Sequence, residues 1–167
     1  KMKIENLLTY LKCPYCDNQL LILKEQRIFC FKCQTNFAVL SGVPVMMDLA
    51  RLNEQEKDQI KKFDKHYGKD IFDYKLEKWQ QSMLKRVIEQ NFKSQIKTYL
   101  DIGCSANGYN VIEAAKRNDW LAFGINISPA AVLKARDLAQ KQGVAEKTGF
   151  VIASAENLPF KNEAFDT

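Results

Sequence analysis

The chain has 167 residues, of which 46% are hydrophobic and 27% charged, a composition typical of a folded globular protein rather than a disordered one. No apolar stretch approaches the roughly 18 to 20 residues that a membrane-spanning helix needs, and no signal-peptide pattern opens the sequence, so we expect a cytoplasmic protein with no membrane partner. The net charge is +5, and the excess of basic side chains lies in the first 97 residues, which hold 18 basic and 12 acidic side chains. Such an excess suits an anionic partner such as RNA, or an ordinary solvated surface.

Four of the five cysteines lie near the start of the chain in two Cys-x-x-Cys pairs. The pairs are Cys13 with Cys16, and Cys30 with Cys33. Apolar patterning predicts a hairpin between the pairs, with strands at 20–23 and 27–31, and two more strands on either side of the turn at Ser41 and Gly42. The pattern indicates a zinc ribbon over residues 1–48.

Each Cys-x-x-Cys pair can point two thiolates at one ion, so four sulfurs would complete a closed tetrahedron with no position for a substrate. We therefore expect a structural Zn²⁺ whose binding supplies folding energy to a module too small to bury much apolar surface. Two disulfides, a redox dithiol and iron in the same sulfur cage are the alternatives, and the absence of a secretion signal disfavours disulfides.

Residues 49–97 are predicted to form a helical linker or cap. Asn53 is a possible N-cap of a helix that Gly68 ends, and a second amphipathic helix is expected over 74–92. His66 is the one histidine of the sequence, and we interpret it as a surface residue.

Residues 98–167 contain the pattern of strand, polar loop and helix twice. A strand is predicted at 98–102, a loop at 103–108 and a helix at 109–116; a second strand at 120–125 precedes Ser128, an expected N-cap. Open α/β sheets bind their ligands at this kind of strand end, where free N–H groups of the following helix face the ligand.

Three segments of this region resemble the successive cofactor motifs of class I S-adenosylmethionine-dependent methyltransferases, in the branch that includes the ubiquinone and menaquinone biosynthesis enzymes. They are Leu-Asp-Ile-Gly-Cys at 100–104, Gly-Ile-Asn-Ile-Ser-Pro at 124–129 and Ser-Ala-Glu-Asn-Leu-Pro-Phe at 154–160. Residues 63–67 are similar to a segment that can fold over the cofactor in that family. Residues 11–47 resemble a zinc-binding domain of methyltransferase activator subunits and of bacterial ribosomal-RNA guanine methyltransferases.

The resemblance implies an S-adenosylmethionine site at the carboxyl ends of the strands. The implied cofactor-binding residues are Asp101, Gly103, Ser105, Gly108, Asn126, Ile127, Ser154, Ala155 and Glu156. In the family the loop usually has a third glycine, and here either Asn107 replaces it or Gly108 fills the role. The family also places an acid that binds the ribose hydroxyls where this chain has Asn126, which could equally form an Asx turn. Cys104 is interpreted as a small packing residue.

The expected fold is therefore α/β: a zinc ribbon (1–48), a helical linker or cap (49–97) and the first half of a Rossmann-like, doubly wound methyltransferase sheet (98–167). The strands that carry catalytic residues in the family are not in the sequence, so no catalytic residue is assigned and a truncated product or part of a longer protein is expected. Half a sheet would expose an apolar face and an open edge, which a protein partner or second copy could cover.

Two functions follow from this organisation. The first is methyl transfer from S-adenosylmethionine, with a guanine of ribosomal RNA preferred to a small molecule as the acceptor. The 167 residues by themselves are expected to be inactive. The second is a non-catalytic binding or activator module on a degenerate methyltransferase scaffold. A nicotinamide-binding Rossmann protein is less favoured, because the loop lacks three glycines.

Overall fold

The structure, a computed structural model, describes residues 2–19, 21–24, 26–68, 86, 97–117 and 120–167. In chain order its elements are α1 (Ile4–Leu8), β1 (Leu21–Lys24), β2 (Arg27–Cys30), β3 (Asn36–Leu40), β4 (Val43–Pro44), α2 (Glu54–Tyr67), β5 (Thr98–Ile102), α3 (Tyr109–Ala115), β6 (Leu121–Asn126), α4 (Pro129–Lys141) and β7 (Thr148–Ile152). The expected mixed α/β class is confirmed. No helix in these ranges combines the length and apolarity that crossing a bilayer requires.

The first sheet is antiparallel, with the strand order β1-β2-β3-β4. The predicted hairpin is confirmed, with Ile22 opposite Phe29 and Lys24 opposite Arg27. Strands β3 and β4 meet at Ser41 and Gly42, which both have positive φ, as a two-residue hairpin turn requires.

The second sheet is parallel, with the order β5-β6-β7. The strand predicted at 98–102 is confirmed, and β7 is buried along its whole length. Helices α3 and α4 pack on one face of this sheet, where Val111 and Val132 meet Phe150 in a buried cluster. Ser128 caps α4 as predicted, because its hydroxyl accepts the N–H of Ala131 at 3.2 Å.

The other face of the parallel sheet packs against the N-terminal module. Leu11 and Phe37 of that module share a buried cluster with Phe123 and Val151 of the sheet. The ring of Tyr10 lies 4.6 Å from that of Phe123, centroid to centroid. The sequence predicts an exposed apolar face here, but the structure buries it, because the inward side chains of the antiparallel sheet supply the missing layer.

Short segments of the chain also pair with both edges of the parallel sheet. The N–H of Met46 donates to the carbonyl of Ile152 at 2.8 Å, beside β7. At the opposite edge, the N–H of Leu100 donates to the carbonyl of Thr167 at 2.9 Å, beside β5. The carboxylate of Asp166 accepts hydrogen bonds from the N–H groups of residues 97 and 98, each at 2.8 Å.

Helix α2 begins at the predicted residue. The Asn53 side chain accepts the N–H of Glu56 at 2.8 Å, and the Glu56 carboxylate accepts the N–H of Asn53 at 3.0 Å, which forms a capping box. Gly68 follows the last helical residue, as predicted. The second helix expected at 74–92 lies outside the described residues, apart from residue 86.

Candidate cofactor site

A cavity of about 280 Å³ lies at the carboxyl edge of the parallel sheet, beneath helix α2. Its lining residues are Glu56, Gln59, Phe63, Tyr67, Gly103, Ile125, Asn126, Ile127, Ala153, Ser154, Ala155 and Glu156. Six of the nine predicted cofactor-binding residues are therefore brought together around one space. The other three, Asp101, Ser105 and Gly108, lie in or beside the loop after β5 and do not line the cavity.

Backbone hydrogen bonds connect the loop after β5 to strand β6. The N–H groups of Gly103 and Cys104 both donate to the carbonyl of Ile125, at 2.9 and 2.8 Å. Gly103 has φ +85°, and a Cβ built on it would meet nothing within 4 Å, so this position faces open space at the cavity. That combination lets backbone approach a ligand.

Gly108, and not Asn107, is the residue that adopts the left-handed conformation in this loop. Its φ is +53°, and a Cβ added to it would lie 2.9 Å from the Cβ of Ala135 in α4. Asn107 accepts the N–H of Tyr109 through its side chain at 3.2 Å and bonds to the Ser105 hydroxyl. Of the two residues that could replace the third glycine, Gly108 is the one with the left-handed backbone, and its contact with a cofactor stays a prediction.

Replacing Gly108 by alanine is expected to destabilise the protein by about 2 to 3 kcal/mol, since the new methyl group adds a clash with Ala135 to the strain of the positive φ. Gly143→Ala is the matched control, because Gly143 has φ +74° with nothing within 4 Å of a built Cβ and carries the strain alone. Urea denaturation measures both free energies of unfolding. Equal losses in the two variants would contradict the close approach at Gly108.

The oxygen and the nitrogen of the Asn126 side-chain amide each form a hydrogen bond with the backbone. Its oxygen accepts the N–H of Ser128 at 2.9 Å, the predicted Asx turn, and its nitrogen donates to the carbonyl of Cys104 at 2.8 Å. A carboxylate could make the first bond and not the second, because it has no hydrogen to donate. The amide thus ties the loop after β5 to the start of α4, while the residue still lines the cavity.

Asp101 lies at the end of β5, below the loop. Burial raises the pKa of its carboxyl group above the usual range, and a hydrogen bond with Asn110 lowers it in part. The bond connects the strand end to the first turn of α3. The contact of Asp101 with a cofactor stays a prediction.

Helix α2 holds the cavity closed on the side opposite the strand ends. Asp64 accepts hydrogen bonds from the Ser128 hydroxyl and, at 3.1 Å, from the N–H of Ala130, so its carboxylate lies at the N-terminus of α4. Negative charge is favoured there by the helix dipole. Phe63 and Tyr67 of the same helix line the cavity, as the resemblance of residues 63–67 implies.

The sequence-based prediction missed Glu56, Gln59, Ile125 and Ala153 among the lining residues. Glu56 is the third residue of α2, where an acid ordinarily signals a capping box and solvent exposure. Its carboxylate accepts the Ser154 hydroxyl, just beyond the end of β7, a contact that no local pattern reveals. Ile125 and Ala153 line the cavity beside Asn126 and Ser154, so adjacency to the predicted residues is the signal that could have found them.

The four cysteines of the N-terminal module meet in one cluster, with their Sγ atoms within 4.8 Å of one another. The Sγ atoms of Cys13 and Cys33 are 3.5 Å apart, as are those of Cys16 and Cys30. Four sulfurs bonded to Zn²⁺ at about 2.3 Å in a tetrahedron lie about 3.8 Å apart, whereas a disulfide brings two sulfurs to about 2.05 Å. The cluster geometry therefore fits a tetrahedral metal ion.

The two Cys-x-x-Cys turns share one backbone conformation. Asp17 and Gln34, the residues that follow the second cysteine of each pair, both have φ 56°. The Asn18 side-chain nitrogen lies 3.7 Å from the Cys30 Sγ and the Thr35 hydroxyl 3.1 Å from the Cys33 Sγ. Such outer hydrogen bonds orient thiolate ligands.

The thiols of the cluster differ in acidity. Burial raises the pKa of Cys13 to about 12. Burial acts in the same direction on Cys33, but hydrogen bonds with Thr35 and with neighbouring thiols outweigh it and lower the pKa of Cys33 to about 6. Because a metal ion requires thiolates, binding it would release protons.

Residues 100–167 match a family model described as a methyltransferase domain. Norajmaline N-methyltransferase from Rauvolfia serpentina is 40% identical over 70 residues, which are 42% of this chain and 24% of that protein. Tocopherol O-methyltransferase, chloroplastic, from Arabidopsis thaliana is 34% identical over 80 residues, 48% of this chain and 23% of that protein.

Among solved structures, the RNA methyltransferase from Salinibacter ruber in complex with S-adenosyl-L-homocysteine is 26% identical, with a TM-score of 0.43 over 50% of this chain and 52% of that one. The chain spans about a quarter of the length of the curated relatives it matches. The family match covers residues 100–167, which include most of β5 and all of β6 and β7. Residues 100–167 are therefore similar to a methyltransferase domain.

Proposed function

We propose that the cavity beneath α2 binds S-adenosylmethionine and that the protein is a methyltransferase. The observation that carries this is the convergence of three separate sequence motifs on one cavity at the carboxyl edge of a parallel sheet, where open α/β folds bind ligands. The family match of residues 100–167 supports it independently.

The residues of the cavity fit a nucleoside cofactor. Gly103 offers a backbone approach, Asn126 a partly used amide, and Phe63 and Ile127 apolar surface against which a planar base can pack. S-adenosylmethionine, when bound, supplies a methyl group on a sulfonium that a nucleophilic nitrogen, oxygen or carbon can attack. The chain's own contribution is to hold and orient this donor and, through α2, to limit water. We assign no catalytic residue.

Titration calorimetry of the 167-residue chain with S-adenosylhomocysteine tests the proposal, and we expect micromolar binding with one site. Circular dichroism on the same sample shows whether the chain is folded. A folded chain that does not bind would instead support the second candidate, a non-catalytic binding or activator module, which the amide at Asn126 and the altered glycine loop favour.

We further propose that the four clustered cysteines hold a structural Zn²⁺. Their four sulfurs are the donor set that zinc prefers in closed sites, and the distances between them suit a tetrahedron. Cys13 and Cys30 are fully buried, and the ion would act on folding and not on substrate.

For the substrate we propose RNA, specifically a guanine of ribosomal RNA, ahead of a small molecule. The outer face of the β1–β3 sheet has a groove of about 380 Å³ lined by Ile22, Lys24, Arg27, Phe29, Phe31 and Asn36, none of them acidic. Phe31 is 60% exposed and packs edge-on against Phe29. Cationic side chains beside exposed aromatic rings suit the phosphates and bases of a single strand.

A methyl-transfer assay with tritiated S-adenosylmethionine separates the two substrate classes. The matched samples are ribosomal RNA and a small-molecule extract, each incubated with the full-length protein and, in parallel, with the 167-residue chain. Label in the RNA alone supports the proposal, and label in the extract alone would refute it. We expect the 167-residue chain to be inactive by itself.

A further inference from the structure

The cavity contains a buried carboxylate that helix α2 contributes. Glu56 is 8% exposed and lines the cavity. Its two carboxylate oxygens accept one hydrogen bond each, from the N–H of Asn53 at 3.0 Å and from the Ser154 hydroxyl at 3.1 Å. An ionised carboxylate has about four acceptor positions, so about half of its capacity remains for donors in the cavity.

No cation is paired with Glu56 in the part of the chain that the structure describes. Burying a carboxylate without a cation is costly unless hydrogen bonds satisfy it. A ligand that presents N–H or O–H groups to this oxygen pair would supply those bonds. The acceptor positions that remain on Glu56 can therefore take hydrogen-bond donors of a ligand at this end of the cavity.

The other polar side chains of the cavity are less suited to that role. The Asn126 amide carries no charge and has one backbone partner on each polar atom, and Glu156 is exposed. Glu56 is thus the buried acid among the lining residues, although it lies outside the three sequence motifs.

The strand order indicates which part of a nucleoside cofactor Glu56 faces. In open α/β sheets the ligand begins at the loop after the first strand and its ribose lies beyond the next strand. Here those strands are β5 and β6, and the base extends on toward β7, where Ser154 holds Glu56. The hydrogen-bond donor on the edge of an adenine base is its exocyclic amine.

We propose that Glu56 determines base specificity by accepting a hydrogen bond from the exocyclic amine of the cofactor's adenine. This assignment rests on the proposed function and extends it to a residue of the covering helix. A hypoxanthine base presents a carbonyl oxygen at the same position, which the carboxylate would repel. The site is therefore expected to reject a 6-oxopurine, because buried polar groups that lose their partner are expensive.

Titration calorimetry of the 167-residue chain with S-adenosyl-L-homocysteine and S-inosyl-L-homocysteine tests this. The wild-type chain is expected to bind the adenosine compound at least about 10-fold more tightly. Glu56→Gln should reduce that preference at least about 10-fold, because an amide nitrogen can donate to the 6-oxo group. Glu54→Gln is the matched control: Glu54 is an exposed acid of the same helix turn that pairs with Lys57 outside the cavity, and its preference should equal that of the wild type.

The possible outcomes separate the two proposals. Equal affinity of the wild-type chain for both compounds, or an unchanged preference in Glu56→Gln, would overturn the role of Glu56 and leave cofactor binding intact. A folded wild-type chain that binds neither compound would overturn the proposed function and this assignment with it. If thermal unfolding shows that Glu56→Gln is not folded, the wild-type preference decides alone.

Discussion

Replacing Cys30 by serine is expected to remove the metal ion and unfold the N-terminal module. Cys30 is fully buried in the cysteine cluster, and its sulfur is 3.5 Å from that of Cys16. Structural zinc sites supply about 10 to 16 kcal/mol at neutral pH, so one of four ligands contributes about 3 to 4 kcal/mol. Metal analysis of the purified variant should therefore fall well below one zinc ion per chain, with a lowered thermal midpoint.

Cys104→Ala is the matched control for that experiment. Cys104 is also buried, but it lies in the loop after β5, and its sulfur is not part of the cluster. The variant should retain the full metal content of the wild type. Full metal content in Cys30→Ser, or a wild-type chain that stays folded and unchanged after a strong chelator has removed the ion, would refute a structural zinc site.

Truncating Phe123 to alanine is expected to cost about 3 to 5 kcal/mol, the range for a large aromatic side chain removed from a packed core. Phe123 is fully buried on the face of β6 that meets the N-terminal module. Its ring lies 4.6 Å from Tyr10 and 5.1 Å from Phe165, centroid to centroid. Urea denaturation measures the loss directly.

Phe31→Ala provides the comparison, since Phe31 is 60% exposed on the outer face of the N-terminal module. Its change in unfolding free energy should stay within about 0.5 kcal/mol. The shared core also predicts one cooperative transition for both sheets in the wild-type chain. A loss below about 1 kcal/mol in Phe123→Ala, or separate transitions for the two sheets, would contradict a common core.

Local patterns were sufficient for the individual elements. Short apolar runs located β1, β2 and the parallel strand at 98–102, and the N-caps Asn53 and Ser128 located the starts of α2 and α4, because caps and apolar runs act within a few residues. The same holds for the cysteine pairs, whose spacing alone predicts that four sulfurs converge. The family resemblance added six residues that the structure does bring to one cavity.

Local sequence patterns could not predict contacts between residues that lie far apart in the chain. The close approach of Gly108 to Ala135 of α4 joins two separate elements, and Glu56 bonds to Ser154, about a hundred residues away in the sequence. The face of the parallel sheet, predicted to be exposed, is covered by Leu11, Phe37 and their neighbours.

The sequence alone therefore determined most of the elements in the described residues and where the cysteines converge, since propensity, capping and ligand spacing are short-range properties. Only the tertiary structure decided that the N-terminal module completes the sheet's core and that α2 places a carboxylate in the cavity. The physical reason is that burial is a property of packed layers: the same acid is a solvated cap on an isolated helix and a buried group at the cavity once the helix packs against the rest of the protein.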